Sequence, residues 1–425
     1  MKVKTSLNKV IGKNSQLVKQ SAVLFSANIL NIALGLGVSI FNTRFLGPEA
    51  YGDFKFLLNL FTLSVLIFTG GYFITGGRIV ALDKFSEKKQ ELIGSLFFIT
   101  IIASAIISVA MFIYSFFQDE LFGTQNLGWT IRIFSLFLFV YPFEKFIEKL
   151  LEGDNRISDL ALTRIIPRFI YLGIIFIVSL ETPVGLNAAL IVHMLSLGMA
   201  LAYVYYAVKP SFHNLKENVA LVREMNKHHG MPMYLGTLIG QGSGYLGTMI
   251  ISYFLDNTNV GYYMLAQTIA TPLVMIPQSL GTVSYKKFAN ENKISGKVTL
   301  WTIASTLGVF LVFNLLVEYV VLFVYSEEYY PVIEITRLVA FALILQGFCF
   351  YINRFLSSQG LGKQLRDADL IRGVINIVSF FLLIRWLGIE GACYSLILSN
   401  IAVLIYLIIK YKQYIKKSEN SETTF

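Results

Sequence analysis

The chain has 425 residues, 55% of them hydrophobic and only 14% charged, with a mean hydropathy of +0.63. A soluble domain carries about 25% charged residues, so this much apolar surface cannot be hidden in a water-soluble core, and the composition predicts a polytopic membrane protein. The net charge of +9 is spread over short polar segments rather than gathered in a basic domain, which argues against nucleic-acid binding.

The first twenty residues, MKVKTSLNKVIGKNSQLVKQ, are basic and polar. The apolar run that follows is too long for a signal-peptide core and lacks a small-residue cleavage site, so it is expected to remain as the first span. A helix crosses a bilayer in about 20 residues. On that measure the sequence predicts twelve transmembrane helices, at 21–43, 54–77, 92–116, 127–149, 160–180, 186–208, 231–254, 261–285, 298–324, 332–356, 367–387 and 389–410. The fourth and fifth carry charges. Lys and Arg alternate between successive connections: 29 of the 35 fall in the N-terminal segment and in every second connection after it. The positive-inside rule then puts both termini in the cytoplasm. The segments FQDELFGTQNLG (117–128) and YSEEYYP (325–331) face outward.

Two stretches echo each other. FNTRFLGPEAYGDF (41–54) and SYFLDNTNVGYYML (252–265) each follow Phe-Leu with Gly at the same distance, and the copies lie 209 residues apart. Similar pairings join 150–166 with 355–373 and 185–209 with 388–412. A duplication of six spans gives two lobes of one orientation, related by a pseudo-two-fold axis along the membrane normal. The expected organisation is an N-terminal lobe at 1–208, a cytoplasmic linker at 209–230, a C-terminal lobe at 231–410 and a cytoplasmic tail at 411–425. Within the linker, LKENVALVREM has the composition of a short interfacial helix.

RFLGPEAYG (44–52) reads as a tight external turn in which Gly-Pro ends one helix and Gly52 permits re-entry. A first span ending in this motif resembles the polysaccharide flippases of the multidrug/oligosaccharidyl-lipid/polysaccharide exporter superfamily, the Wzx-type exporters of O-antigen and capsule repeat units. The resemblance extends over the whole chain through the twelve spans, the two halves and the lack of large external domains. Its one sharp local motif is the 44–52 turn, and in the second copy Asp-Asn-Thr-Asn stands in place of Gly-Pro-Glu. It implies alternating-access movement of an undecaprenyl-pyrophosphate-linked oligosaccharide to the outer leaflet, in a bacterial inner membrane, for lipopolysaccharide or capsule assembly. It also implies a transporter rather than an enzyme, with no cofactor. A polysaccharide polymerase and a chain-length regulator are candidate partners, beside membrane lipids.

Ionisable side chains inside spans are costly and face a cavity or a partner. Arginine suits phosphate oxygens through its permanently charged, forked donor set. The candidates for a cationic path are Arg44, Arg78, Arg132, Arg164, Arg168, Arg337 and Arg354. Arg164 and Arg168 share a helical face, with Pro167 between them to kink the helix; interfacial contact with lipid headgroups is the alternative reading. Glu334 is spaced to pair with Arg337. Asn28, Asn31, Asn59 and Gln241 could bond a passing sugar or pack helices. Glu144, Glu148 and Glu318 are candidates for a coupling ion, while Lys145 or an arginine of the fifth span offers Glu144 and Glu148 a partner in a structural network. Pro272 and Pro277 should break the eighth span, and GTLIGQGSGYLG (236–247) makes the seventh pliant.

No phosphate-binding G-x-x-x-x-G-K-[ST] loop is present, which excludes ATP hydrolysis by this chain. The four histidines and two cysteines lack zinc-ligand spacing. Short outer loops argue against a polymerase or ligase. The nearer rival is a cation-coupled multidrug exporter of the same superfamily, whose cationic substrates favour carboxylates; this chain places more Arg than acid in or beside its spans. A scaffold without transport is a further reading.

Overall fold

The computed structural model describes the backbone of residues 2–124 and 126–422, and side chains from residue 26 to 418 except Asp83, Gln125 and Lys286. The basic side chains of the first twenty residues therefore lie outside what is described. Among the described residues all regular structure is helical: α1 (Lys2–Phe68), α2 (Tyr72–Ala81), α3 (Lys89–Tyr114), α4 (Gln118–Phe122), α5 (Leu127–Phe134), α6 (Val140–Gly153), α7 (Ile157–Glu181), α8 (Leu186–Val208), α9 (Leu215–Met225), α10 (Met231–Phe254), α11 (Asn257–Val283), α12 (Tyr285–Phe288), α13 (Gly296–Val320), α14 (Val332–Ser358), α15 (Gly362–Leu387) and α16 (Ile389–Glu422). Among the described residues eight runs are long and apolar enough to cross a bilayer, the first being Ser26–Phe68.

Large apolar side chains stand exposed on the helix surfaces; Phe323 is 86% and Trp301 74% exposed. Water would penalise so continuous a surface, whereas hydrocarbon does not. The protein is an all-α polytopic membrane protein.

The connection predicted at Gly-Pro is a break inside α1. Gly47 adopts φ 72, ψ 174, which a side chain would forbid, and Pro48 cannot donate the next helical hydrogen bond. Helix resumes at once. The second predicted span therefore begins earlier than expected and ends at Phe68, where Gly70 and Gly71 take positive φ before α2 starts. The fourth predicted span is assembled from α5, a 3₁₀ turn at Ser135–Phe137 and α6. Pro142, three residues into α6, lacks the N–H that would tie the helix back across this junction. Contrary to expectation, α11 runs unbroken through Pro272 and Pro277. Gly347 of α14 leaves room for the Pro277 ring, since any Cβ there would collide with it. Pro167 likewise sits inside a continuous α7.

The chain divides into two compact units: residues 1–41, 67–117 and 126–234, and residues 42–66, 118–125 and 235–425. In the first, α2 lies so close to α6 that a Cβ on Gly77 would stand 2.7 Å from the Lys149 carbonyl oxygen. Phe97 packs edge-on to Phe146 and Tyr205. The linker residues 215–225 are helical, as α9, and lie against α3, where Glu91 accepts a hydrogen bond from Asn218 at 3.0 Å. In the second unit, α14 is the buried centre, packed by α11 and α16. One end of its core gathers Phe288, Tyr351, Phe355 and Tyr411.

Candidate functional site

The first unit concentrates polar side chains where α1, α6 and α7 meet. On α7, Arg164 and Arg168 are one turn apart and both turn towards α1. Arg164 bonds the Glu148 carboxylate of α6, lies 3.6 Å from Glu152, and donates at 3.4 Å to Asn28 Oδ1. Arg168 donates to the backbone carbonyl of Asn31. Its guanidinium fills the space over Gly35, where a Cβ would collide with it. Five sequence candidates are thus brought together: Asn28, Asn31, Glu148, Arg164 and Arg168. Lys145 stands 3.8 Å from both Glu144 and Glu148, adding Glu144 to the rim.

The two arginines differ in electrostatics. Arg164 is neutralised by carboxylates, whereas no acid lies within 4.0 Å of Arg168 among the described ion pairs. Beside it, Asn31 Oδ1 is buried with no hydrogen-bond partner. An isolated acceptor of this kind, next to a cation, suits a ligand that brings both hydroxyl donors and negative charge.

The remaining candidates stand apart. Arg78 of α2 donates to His229 at 2.7 Å, in a π-helical turn (Asn226–Gly230) that also accepts from Thr75 and donates to the Gly70 carbonyl through Asn226. Burial, and then the Arg78 charge, hold the His229 imidazolium below its ordinary range. Arg132 sits over Phe116, 3.9 Å from the ring centroid, with Trp129 at 5.6 Å and Ser115 at 3.4 Å.

In the second unit, Arg44 donates to the carbonyls of Val324 and Phe323 at 2.9 and 3.1 Å. These carbonyls belong to a π-helical turn (Val321–Tyr325), whose wide geometry leaves backbone acceptors open. Arg337 pairs at 3.2 Å with Glu318 of α13, not with Glu334 on its own helix. The Arg354 stem packs against Gly281. Asn59 donates to the Lys55 carbonyl of its own helix at 2.9 Å, and Gln241 is exposed.

Two acidic residues escaped the sequence reading. Asp53 accepts from Asn257 at 2.7 Å, and Asn257 accepts from Ser252 at 2.6 Å. Asp369 of α15 lies against Gly240, 3.3 Å from where a Cβ would stand. The signal for Asp53 was its place directly after Gly52 of the turn motif. Among the described residues no group of three or more His, Cys, Asp or Glu could hold a metal ion.

The sequence profile of a family described as "Polysaccharide biosynthesis protein" matches residues 17–289. A probable flippase, AglR of Haloferax volcanii, is 25% identical over 408 residues, covering 91% of this chain and 81% of that protein. Among solved structures, the inward closed conformation of the lipid II flippase MurJ aligns with a TM-score of 0.75 at 15% identity, over 93% of this chain and 89% of that one. The inward-facing conformation of a multidrug resistance MATE family transporter of the MOP superfamily aligns with a TM-score of 0.69 at 15% identity, over 93% and 99%. These two likenesses establish the fold.

Proposed function

The chain belongs to the polysaccharide biosynthesis protein family, and from that premise we propose that it is a flippase for a polyprenyl-pyrophosphate-linked oligosaccharide. The substrate is carried on undecaprenyl pyrophosphate and passes by alternating access from the cytoplasmic to the outer leaflet of a bacterial inner membrane. It serves cell-surface polysaccharide assembly of the O-antigen or capsule type, with a polymerase and chain-length regulator acting downstream. Both termini are cytoplasmic, a reading supported by the basic residues of alternate connections. The transporting halves are 1–208 and 231–410, joined by 209–230.

One observation carries this reading: the Arg168 guanidinium, without a carboxylate within 4.0 Å, beside the orphaned Asn31 acceptor. Arg168 takes pyrophosphate oxygens, and Asn31 Oδ1 accepts from a sugar hydroxyl. Arg164 joins when Glu148 gives it up, so a proton on Glu148 would couple to substrate capture. A drug exporter selecting organic cations would instead be hindered by an Arg with no carboxylate within 4.0 Å at this place.

The test is transport by the full chain in proteoliposomes. Movement of the lipid-linked oligosaccharide, with no export of a cationic dye, is the expected result. Dye export without oligosaccharide movement overturns the proposal in favour of the drug exporter.

A further inference from the structure

A cavity of about 280 Å³ opens at the ends of three helices of the first unit, apart from the Arg164/Arg168 cluster. Its walls are Ile79, Val80, Ala81 and Leu82 at the end of α2, Phe85 and Ser86 of the following loop, Lys89 at the start of α3, and Gly153, Asp154 and Asn155 at the end of α6. It is too small for an oligosaccharide, since sites for drug-sized ligands span about 300–1,000 Å³. Lys89 and Asp154 form an ion pair across it, with side chains only 28% and 23% exposed.

We propose that this cavity binds the phosphoethanolamine headgroup of a membrane phospholipid. Among the described lining residues there is one cation, Lys89, and one anion, Asp154. An anionic headgroup would meet the Asp154 carboxylate unpaired, whereas a zwitterion exchanges one internal ion pair for two: phosphate on Lys89 and ammonium on Asp154. The ammonium gains further from position. Two helices, α2 and α6, end here, and their carboxyl ends carry partial negative charge. Ser86 and Asn155 offer neutral donors to the phosphate oxygens. Ile79, Val80, Leu82 and Phe85 supply an apolar wall for the glycerol and first methylenes.

Depth favours a lipid over a soluble phosphate ester. Lys89 is the first residue of one membrane-crossing run, and Asn155 stands two residues before another that begins at Ile157. The cavity therefore lies at headgroup level, where phospholipid is present at very high local concentration. A bound headgroup would tie the end of α2 to the starts of α3 and α7.

The experiment reconstitutes the full chain in nanodiscs of phosphatidylglycerol mixed with either phosphatidylethanolamine or phosphatidylcholine, and reads retained lipid by native mass spectrometry. Wild type should retain phosphatidylethanolamine over both other lipids. Asp154→Asn should lose that preference about tenfold, the scale of one charged hydrogen bond, and shift towards phosphatidylglycerol. Val80→Trp fills the cavity without touching the ion pair, and should abolish retention while the protein stays folded. Equal retention of the three lipids by wild type, or a preference unchanged in both variants, overturns the proposal. Free O-phosphoethanolamine distinguishes the source: stabilisation by the soluble ester, with no lipid preference, overturns the lipid assignment.

Discussion

Gly52 and Gly261 meet backbone to backbone. A Cβ on Gly261 would stand 2.9 Å from Gly52 Cα and 3.1 Å from its amide nitrogen. These two residues occupy matching positions of the two echoing stretches, so within the second unit the copies pack directly on each other. Asp53 and Asn257 reinforce the junction with their hydrogen bond, and Tyr51 and Tyr262 both pack edge-on against Tyr329. Tyr329 in turn donates to the Thr43 carbonyl at 3.2 Å.

A side chain at either glycine should therefore be costly. Gly52→Ala is expected to destabilise by about 1–3 kcal/mol, the usual range for overpacking, because its Cβ would overlap the Asn257 carbonyl. Gly308→Ala is the control: nothing lies within 4 Å of its Cβ, and removing an α13 glycine should leave stability unchanged or raise it by about 0.5–1 kcal/mol. Thermal unfolding in detergent separates the two.

Asn257 is the middle of a three-residue chain from Ser252 to Asp53. Replacing it by Ala leaves a hydroxyl and a carboxylate without their shared partner. A cycle of Asp53→Ala and Asn257→Ala should give a coupling of about 1.5–3 kcal/mol, the range for a hydrogen bond to a charged group. Additive effects would show that the bond contributes nothing.

Burial of His229, with the Arg78 contact second, sets a pH dependence. The folded state holds His229 below its ordinary pKa, so on acidification the unfolded chain takes up the proton first. The contact costs nothing at neutral pH, and stability should fall as pH drops below about 6.5. His229→Gln should flatten that fall in the pH profile of the melting temperature. A profile identical to wild type would show that other groups govern it.

On the proposed reading, Glu148, which pairs with Arg164, competes with substrate for it. Glu148→Gln should weaken the ion pair and remove any dependence of transport on a proton at this position, seen as a flattened pH–rate profile. Arg337→Ala is expected to cost little, about 0–1 kcal/mol, because both partners of its pair with Glu318 are nearly half exposed.

Hydropathy located the membrane helices because each buries its own backbone polar groups whatever its neighbours do. Helices stand at all twelve predicted ranges, although among the described residues only eight runs are long and apolar enough to cross a bilayer, and α10, which matches 231–254 end for end, is not one of those eight. Partner choice was not legible. Helical spacing suggested Glu334 for Arg337, but the observed partner, Glu318, comes from the neighbouring helix, and only packing brings it close. Arg164 was an exception in part: its pairing with Glu148 of α6 matches the expected network of that acid with an arginine of the fifth span, but its contact with Asn28 of α1 was not foreseen. The echo pointed to two matching stretches, yet nothing in it indicated that they touch. Pro272 and Pro277 misled because a break depends on whether neighbours accommodate the ring, as Gly347 does for Pro277.

The central claim is that Arg168 carries the pyrophosphate during translocation. The most direct measurement is the leaflet-transfer rate of polyprenyl-pyrophosphate-linked oligosaccharide in proteoliposomes, for wild type and Arg168→Ala at equal protein content and equal thermal stability. A loss of one charged contact predicts a rate at least about tenfold lower, partly restored in Arg168→Lys. Equal rates for wild type and Arg168→Ala would contradict the account.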